Sequence, residues 1–549
     1  MRSLSRACRA WLAGLLLALA TGPALAAATA AAIEARVATL ADGRGGYVRG
    51  LPVASGDLLP RFYAARGYAP AWSDPARVAE LLDLLATAPA HGLATVDYNL
   101  DTLRALWAGG AVAADPAAAA DLDLLLTESL VRFGYHQRFG KVNPKRLEPD
   151  WNFSRRYRAG QDPLSTLAAA VAAPSLGGFL ADWVQRQPLY PVLQQKLAEY
   201  RGIAARGGWP EVPAGATLRV GDRDARVAVL RERLRVTGDL AAEAPAPVFA
   251  DLFDAPLLVA VQAFQERHAL AADGIVGPGT LAALNVPVAA RIDQLRLTLE
   301  RARWVGDDTP GEVVVVNIAG AEVFVARDGV VTWWRRAVVG KEARQTPVFR
   351  GTMSYLELNP TWTIPPTILR QDVLPKVRRD RGYLAANHIR VLDLKGRPVD
   401  PGAVDWNARS FPYVLRQDAG PDNPLGLIKL MFPNRHDVYL HDTPARASIF
   451  AQSRRTFSSG CIRVEDPFEL AAIVLDEPER WTAASLRASL ADGKTRRVSL
   501  KRPWPVLLLY WTAALDARGR VRFLPDVYGR DPAVLAALDG DVRLEFPAE

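Results

Sequence analysis

The apolar residues of this chain change period near residue 310, and that change decides which fold class is open to it. Upstream, Val78, Leu81, Leu82 and Leu85 fall at i, i+3, i+4 and i+7, and Leu122, Leu125, Leu126, Leu130 and Phe133 repeat the stripe of an amphipathic helix. Downstream, Glu312 to Ile318 is a β-branched run, Glu322 to Ala326 alternates, Asp328-Gly329 turns and Val330 to Val339 returns. That is a hairpin pattern. At about 150 residues per domain, a chain of 549 residues holds several domains, so the reading is a multidomain α+β protein. Half of its residues are hydrophobic, enough for packed cores, which excludes wholesale disorder. The absence of a strict repeat and of a second long apolar run excludes collagen-like, coiled-coil and multi-span membrane classes.

The first residues read as an export signal. Arg2, Arg6 and Arg9 make a basic start, Trp11 to Ala20 is a short apolar run, and Ala24-Leu25-Ala26 offers small residues for cleavage. The run is shorter than the ~20 residues a membrane span needs. Removal of residues 1–26 takes Cys8 with it and leaves Cys461 as the lone thiol, with no partner for a disulfide and no four-thiolate zinc site. By count alone, a buried and inert cysteine is as good a reading as a reactive one.

Residues 27–208 read as a helical scaffold domain, punctuated by Pro60, Pro70, Pro75, Pro89, Pro116 and Pro144 and without clustered chemistry. Gly207-Gly208 and Pro210 to Gly215 read as a linker. Within 218–285, Val227, Leu230 and Leu234 form one apolar face, and Leu258, Val261 and Phe264 another. A turn over Asp273 to Pro278 follows, with Gly274 and Gly277 suited to positive φ and Thr280 placed to cap the next helix. With Gln262, Phe264, Gln265 and the Asp273–Gly274–Gly277–Thr280–Leu281 signature, this unit resembles the three-helix peptidoglycan-binding domain of cell-wall enzymes. A helical connector, Ala289 to Trp304, leads to a β-rich domain at 310–480. Its polar segment 364–423 reads as a lid-like insertion, and 481–549 as a C-terminal extension packing on the scaffold or the catalytic domain.

The chemistry concentrates in Tyr439-Leu440-His441-Asp442-Thr443-Pro444 and Phe457-Ser458-Ser459-Gly460-Cys461-Ile462-Arg463-Val464. A thiol nucleophile needs a neighbouring base or cation, because a free cysteine ionises only near pH ~8.5. If His441 ends a strand, Asp437, Tyr439 and His441 share one face, whereas His436 lies on the other, so the two histidines are not placed to chelate one metal. Gly460 lets an incoming carbonyl approach Cys461 and lets successive N–H groups converge on an oxyanion. Glu465 to Glu469, with Pro467, starts a helix whose positive end is expected to favour the thiolate. Lys429, Arg435, Arg454 and Arg455 are basic neighbours in sequence, for which a solvated face is the commoner reading than steering of an anionic polymer.

These motifs, together with Asn359-Pro360-Thr361-Trp362-Thr363-Ile364-Pro365, resemble the L,D-transpeptidase family in its large periplasmic Gram-negative form. One departure is Ser459, where many members carry a histidine before Gly-Cys, so the role of base falls to His441 alone. The resemblance implies a β-rich catalytic domain beside the scaffold and the peptidoglycan-binding domain. It also implies that Cys461 attacks the bond between meso-diaminopimelate and the terminal D-Ala of a stem tetrapeptide. The thioester then passes to the side-chain amine of a second stem, giving a 3→3 cross-link. Implied roles are nucleophile for Cys461, base for His441, its orientation by the Asp442 carbonyl, and an oxyanion hole from the Gly460 and Cys461 N–H groups. Arg463, Tyr439, Ser459 and Trp362 are expected on the substrate side, with core packing the stronger reading for Trp362 and a salt bridge to Glu465 or Asp466 the competing one for Arg463. No cofactor or metal is required and nucleic acid is not an expected partner. Peptidoglycan stems are the expected partners, with the glycan strand and other wall-synthesis proteins left open. Two alternatives remain: an L,D-carboxypeptidase or endopeptidase that hydrolyses the same thioester, and a non-catalytic peptidoglycan-binding protein.

Overall fold

The computed structural model describes residues 25–40, 46–109, 115–157, 159–184, 189–244, 247–306 and 311–547; the basic start and apolar run of the expected signal lie outside them. No helix among the described residues is long and apolar enough to cross a membrane.

The scaffold is built around α1 (Pro116–Phe139), started by the Asp115 carboxylate accepting from Ala117 N at 2.9 Å and by Pro116 in the first turn. The stripe seen in the sequence is only part of its core face, for the helix is buried on every side from Ala120 to Phe139. Two of its buried carboxylates are satisfied internally. Asp123 accepts from Ala71 N, Trp72 N and Tyr63 Oη, and Glu128 pairs with Arg132 at 2.6 Å.

The second unit packs helices Arg226–Val236, Ala255–Arg267 and Pro278–Leu284 around Val227, Leu230, Leu234, Val261 and Phe264. Its turn is tied by Gln265, whose amide donates to Asp273 Oδ1 at 2.8 Å and accepts from Gly274 N at 2.8 Å. Gly274 has φ +71°, as expected, but Gly277 sits at −86° and needs no glycine conformation. Thr280 is not the cap. It lies inside the helix, with its hydroxyl donating to Ile275 O at 3.0 Å. The expected linker is partly packed too: Val212 is fully buried and exchanges hydrogen bonds with the Asn285 side chain.

The connector helix α2 (Val288–Trp304) is the hub of the molecule. Buried Glu300 pairs with Arg303 of the same helix and accepts from Trp304 Nε1 at 2.9 Å and from Val142 N, just past the end of α1, at 2.8 Å. Arg303 donates to His91 O and Tyr190 Oη in the scaffold.

The β-rich domain is built on one sheet: β1 (Glu312–Asn317), β2 (Glu322–Arg327), β3 (Val330–Gly340), β4 (Phe349–Leu358), β5 (Ile428–Met431), β6 (Leu440–His441), β7 (Thr456–Ser458), β8 (Ile462–Val464) and β9 (Arg496–Leu509). The order is β7-β3-β8-β6-β5-β4-β9-β1-β2, and a further β2–β3 pairing closes it on itself. The hairpin expected at 312–339 is β1–β2–β3, but the boundary at 480 is corrected. β9 lies between β4 and β1 in mid-sheet, with Val506–Leu509 parallel to Val314–Asn317. The chain reaches β9 from β8 through α3 (Pro467–Leu475) and the helix Ala483–Ala488. Beyond β9 the chain does reach the scaffold: Tyr135 Oη donates to Glu545 O at 2.8 Å, and Phe546 packs edge-on against Tyr135.

The insertion has its own three-stranded sheet, Trp362–Thr363, Val414–Gln417 and Ile389–Leu392, and its own core of Ile364, Val373, Val377, Val391, Trp406 and Leu415. It is a small folded unit rather than an irregular loop.

Candidate active site

Strand register assembles the site. β6 and β8 run parallel with Leu440 opposite Ile462 and His441 opposite Arg463. Aligned residues in a ladder project to the same side, and side chains alternate along each strand. Tyr439, His441, Cys461 and Arg463 therefore share one face, while Leu440, Ile462 and Val464 are buried on the other. β5 adds Lys429 opposite His441, and β4 adds Glu357 opposite Lys429, on that same polar face.

His441 is 4% exposed and its Nδ1 lies 2.5 Å from Asp442 O. A carbonyl only accepts, so Nδ1 carries the proton and Nε2 is left as the basic nitrogen. Asp442 is itself fixed. Its backbone N–H donates to Ile428 O, and its carboxylate takes Arg446 Nε at 2.7 Å and Leu427 N at 2.9 Å. Burial, reinforced by the nearby Arg463 cation, pushes the imidazole down to about 3.

Cys461 is half-buried, and its Sγ donates to Asp437 O at 3.4 Å. Burial pushes the thiol up, against the opposing influence of Tyr439, Lys429 and Arg463. The Tyr439 hydroxyl bonds to the sulfur, and Lys429 Nζ lies 4.0 Å from the Tyr439 ring centroid and 3.6 Å from Glu357. The resting pair is thus a neutral thiol and a neutral imidazole, with two cations positioned to stabilise a thiolate once the proton leaves.

Three expectations are corrected. Gly460 N–H is already engaged, donating to Ser458 Oγ at 3.1 Å, so only the Cys461 N–H remains of the two proposed oxyanion donors. Gly460 serves the loop by its φ of +116°, a region side chains rarely adopt. The positive end of α3 is too far to act on Cys461, since all of β8 intervenes, about 10 Å of extended chain, and the dipole effect fades within a turn. Arg463 forms neither expected salt bridge: Glu465 pairs with Arg336 and Asp466 with Arg487. Among the described residues it has no ion-pair partner, although its Nε is buried.

The other sequence-derived residues divide. Ser459 flanks the thiol and accepts from Arg344 Nη1 at 2.9 Å; the same guanidinium holds Asp372 of the insertion, docking that unit beside the Cys461 loop. Trp362 packs half-buried at the joint between the main core and the insertion. Lys429 belongs to the site rather than to a solvated face, with its side chain only 14% exposed. Arg455 is structural, donating to Ala337 O, and Arg435 pairs with Asp150.

Comparison with known proteins gives three matches along the chain. Residues 311–495 match the L,D-transpeptidase catalytic domain, 223–284 the putative peptidoglycan binding domain and 57–197 a scaffold domain. Residues 311–495 thus carry an L,D-transpeptidase catalytic domain. A putative L,D-transpeptidase of Haemophilus influenzae is 36% identical over 256 residues, 46% of this chain and 51% of that protein, so the chain spans about half the length of that relative. Among solved structures, an L,D-transpeptidase from Mycobacterium smegmatis aligns with 36% of this chain and 58% of its own at 17% identity and a TM-score of 0.17. One from Stackebrandtia nassauensis covers 55% and 96% at 13% identity and a TM-score of 0.21. The sequence lacked any sign of Thr346, whose hydroxyl bonds Gly460 O 114 residues away, or of Tyr528, which bonds Thr346 N and Gly340 O from beyond the matched domain.

Proposed function

We propose that the chain is a cysteine-dependent L,D-transpeptidase that forms 3→3 cross-links between peptidoglycan stems. The observation that carries this is the shared face of Cys461, His441, Tyr439 and Arg463, with His441 pinned so that Nε2 is its base. In the first half-reaction, Nε2 takes the Cys461 proton as sulfur adds to the carbonyl between meso-diaminopimelate and D-Ala. The C–N bond breaks, the departing D-Ala amine receives that proton, and a thioester remains. In the second, an acceptor amine gives its proton to Nε2 while nitrogen adds to the thioester carbonyl; the thiolate leaves and is reprotonated. The Cys461 N–H stabilises the oxyanion in both directions. Arg463 and Lys429 supply positive charge for the carboxylates of the stem. Ser459, beside the thiol, belongs to the same substrate side. The peptidoglycan-binding unit holds the wall polymer near the cleft, and the enzyme works after export to the periplasm.

Incubation with disaccharide-tetrapeptides, followed by mass spectrometry of the products, tests this reading. The expected products are free D-Ala and 3→3 dimers. Tripeptides without dimers would assign the chain to hydrolysis of the thioester instead.

A further inference from the structure

The loop carrying Cys461 is braced from behind by a closed ring of hydrogen bonds. Gly340 N donates to Thr346 Oγ1 at 2.9 Å, and the Thr346 hydroxyl donates to Gly460 O at 2.8 Å. Thr346 N donates to Tyr528 Oη at 3.1 Å, and that hydroxyl donates to Gly340 O at 2.6 Å. Each hydroxyl accepts one bond and spends its single proton on a carbonyl, so both directions are determined. The ring is buried: Thr346 is fully enclosed and Tyr528 is 8% exposed. Gly340 permits the tight return, since a Cβ there would stand 2.2 Å from Arg344 O and 2.7 Å from Thr346 N. Tyr528 is fixed in turn by stacking on Tyr510 at 5.7 Å and by its N–H donating to Tyr510 Oη at 2.9 Å.

The consequence follows from peptide geometry. In a planar trans peptide, C=O and N–H point in opposite directions. Holding the Gly460 carbonyl back toward Thr346 therefore turns the Cys461 N–H away from the core. Ser458 Oγ fixes the next peptide by donating to Cys461 O at 2.6 Å. We infer that Thr346 and Tyr528 are positioning residues for acyl transfer: they aim the Cys461 N–H at the oxyanion that forms when Cys461 is acylated. The inference rests on the reading of Cys461 as an acylated nucleophile. Tyr528 lies outside the matched catalytic domain, in the C-terminal segment, which gives that segment a part in the chemistry.

Two rates at the same sulfur separate positioning from general structure. Acylation by a carbapenem passes through an oxyanion, whereas alkylation by iodoacetamide displaces iodide and forms none. Thr346→Val, which keeps the shape and removes the hydroxyl, is expected to slow acylation about 10- to 100-fold and to leave alkylation near the wild-type rate. Thr346→Ser is expected to restore acylation. Tyr528→Phe is expected to slow acylation about 3- to 10-fold and carries the same comparison if Thr346→Val does not fold. Acylation at the wild-type rate in both hydroxyl-deleted variants would overturn the inference, and so would a parallel fall in both rates. A wild-type protein that alkylates but gains no carbapenem mass would instead overturn the underlying reading of Cys461, and this inference with it.

Discussion

Replacing His441 with glutamine is expected to slow acylation of Cys461 by about 10²- to 10⁴-fold, the usual worth of a positioned general base. Glutamine fills similar space but has no basic nitrogen to accept the thiol proton, and no other histidine shares the polar face on which Cys461 lies. The pH dependence should carry the same signature. Because the imidazole is held at about 3, from an ordinary value of 6.5, it stays neutral across the mildly acidic range. The acylation rate of the wild type is expected to show no loss centred near pH 6.5. Stability behaves differently, since the unfolded chain binds a proton at His441 below 6.5 and the folded one does not until about 3. This residue's contribution is complete above pH 6.5 and is lost progressively as pH falls toward 3, so His441→Gln should unfold over a narrower range of acid than the wild type. Acylation rates and acid-unfolding curves for the two proteins check both parts. A rate within a few-fold of wild type for His441→Gln would remove it as the base.

Glu300→Ala should be among the most destabilising single changes, at about 3–5 kcal/mol, because it strands a buried guanidinium. Glu300 is fully buried and is the carboxylate partner of Arg303. Its other oxygen takes Trp304 Nε1 and Val142 N, which joins the end of the longest scaffold helix to the connector. Loss of the carboxylate leaves these donors unpaired and opens the scaffold–connector junction. Glu469→Ala is the control. Glu469 pairs with Arg335 in a site where both side chains are more than a third exposed, and exposed pairs are worth about 0–1 kcal/mol. Denaturant titrations of the two variants should differ severalfold in effect, and equal effects would contradict the central place given to the connector.

The sequence exposes what is local and hides what depends on register. The helical stripes, the hairpin after residue 312 and the Ser-Gly-Cys-x-Arg segment are short-range patterns, and each forms the element its spacing suggests. The alternation that puts Tyr439 and His441 on one face is also local and is realised. Lys429 is different: only the β5–β6 register opposite His441 makes it part of the site, and nothing near residue 429 signals that pairing. The connector's importance was hidden because its buried face is made of charges. Glu300, Arg301 and Arg303 read as a solvated side until their partners in distant segments are seen. Only the first half of β9 was obscured, where Arg496, Arg497, Lys501 and Arg502 interrupt the apolar pattern; Val506 to Tyr510 reads as a buried strand, and Val506 to Leu509 forms one in the core. Gly460 shows the limit of motif reasoning in another way. Its place beside the thiol suggested an N–H donor, yet the neighbouring Ser458 hydroxyl takes that N–H.

The central claim is that Cys461 is the atom acylated. Intact-protein mass after exposure to a carbapenem, for the wild type beside Cys461→Ala, tests it most directly. The wild type is expected to gain the mass of one drug molecule and the variant to gain none. A wild type whose mass is unchanged, or a Cys461→Ala protein that takes up the drug equally well, would contradict it.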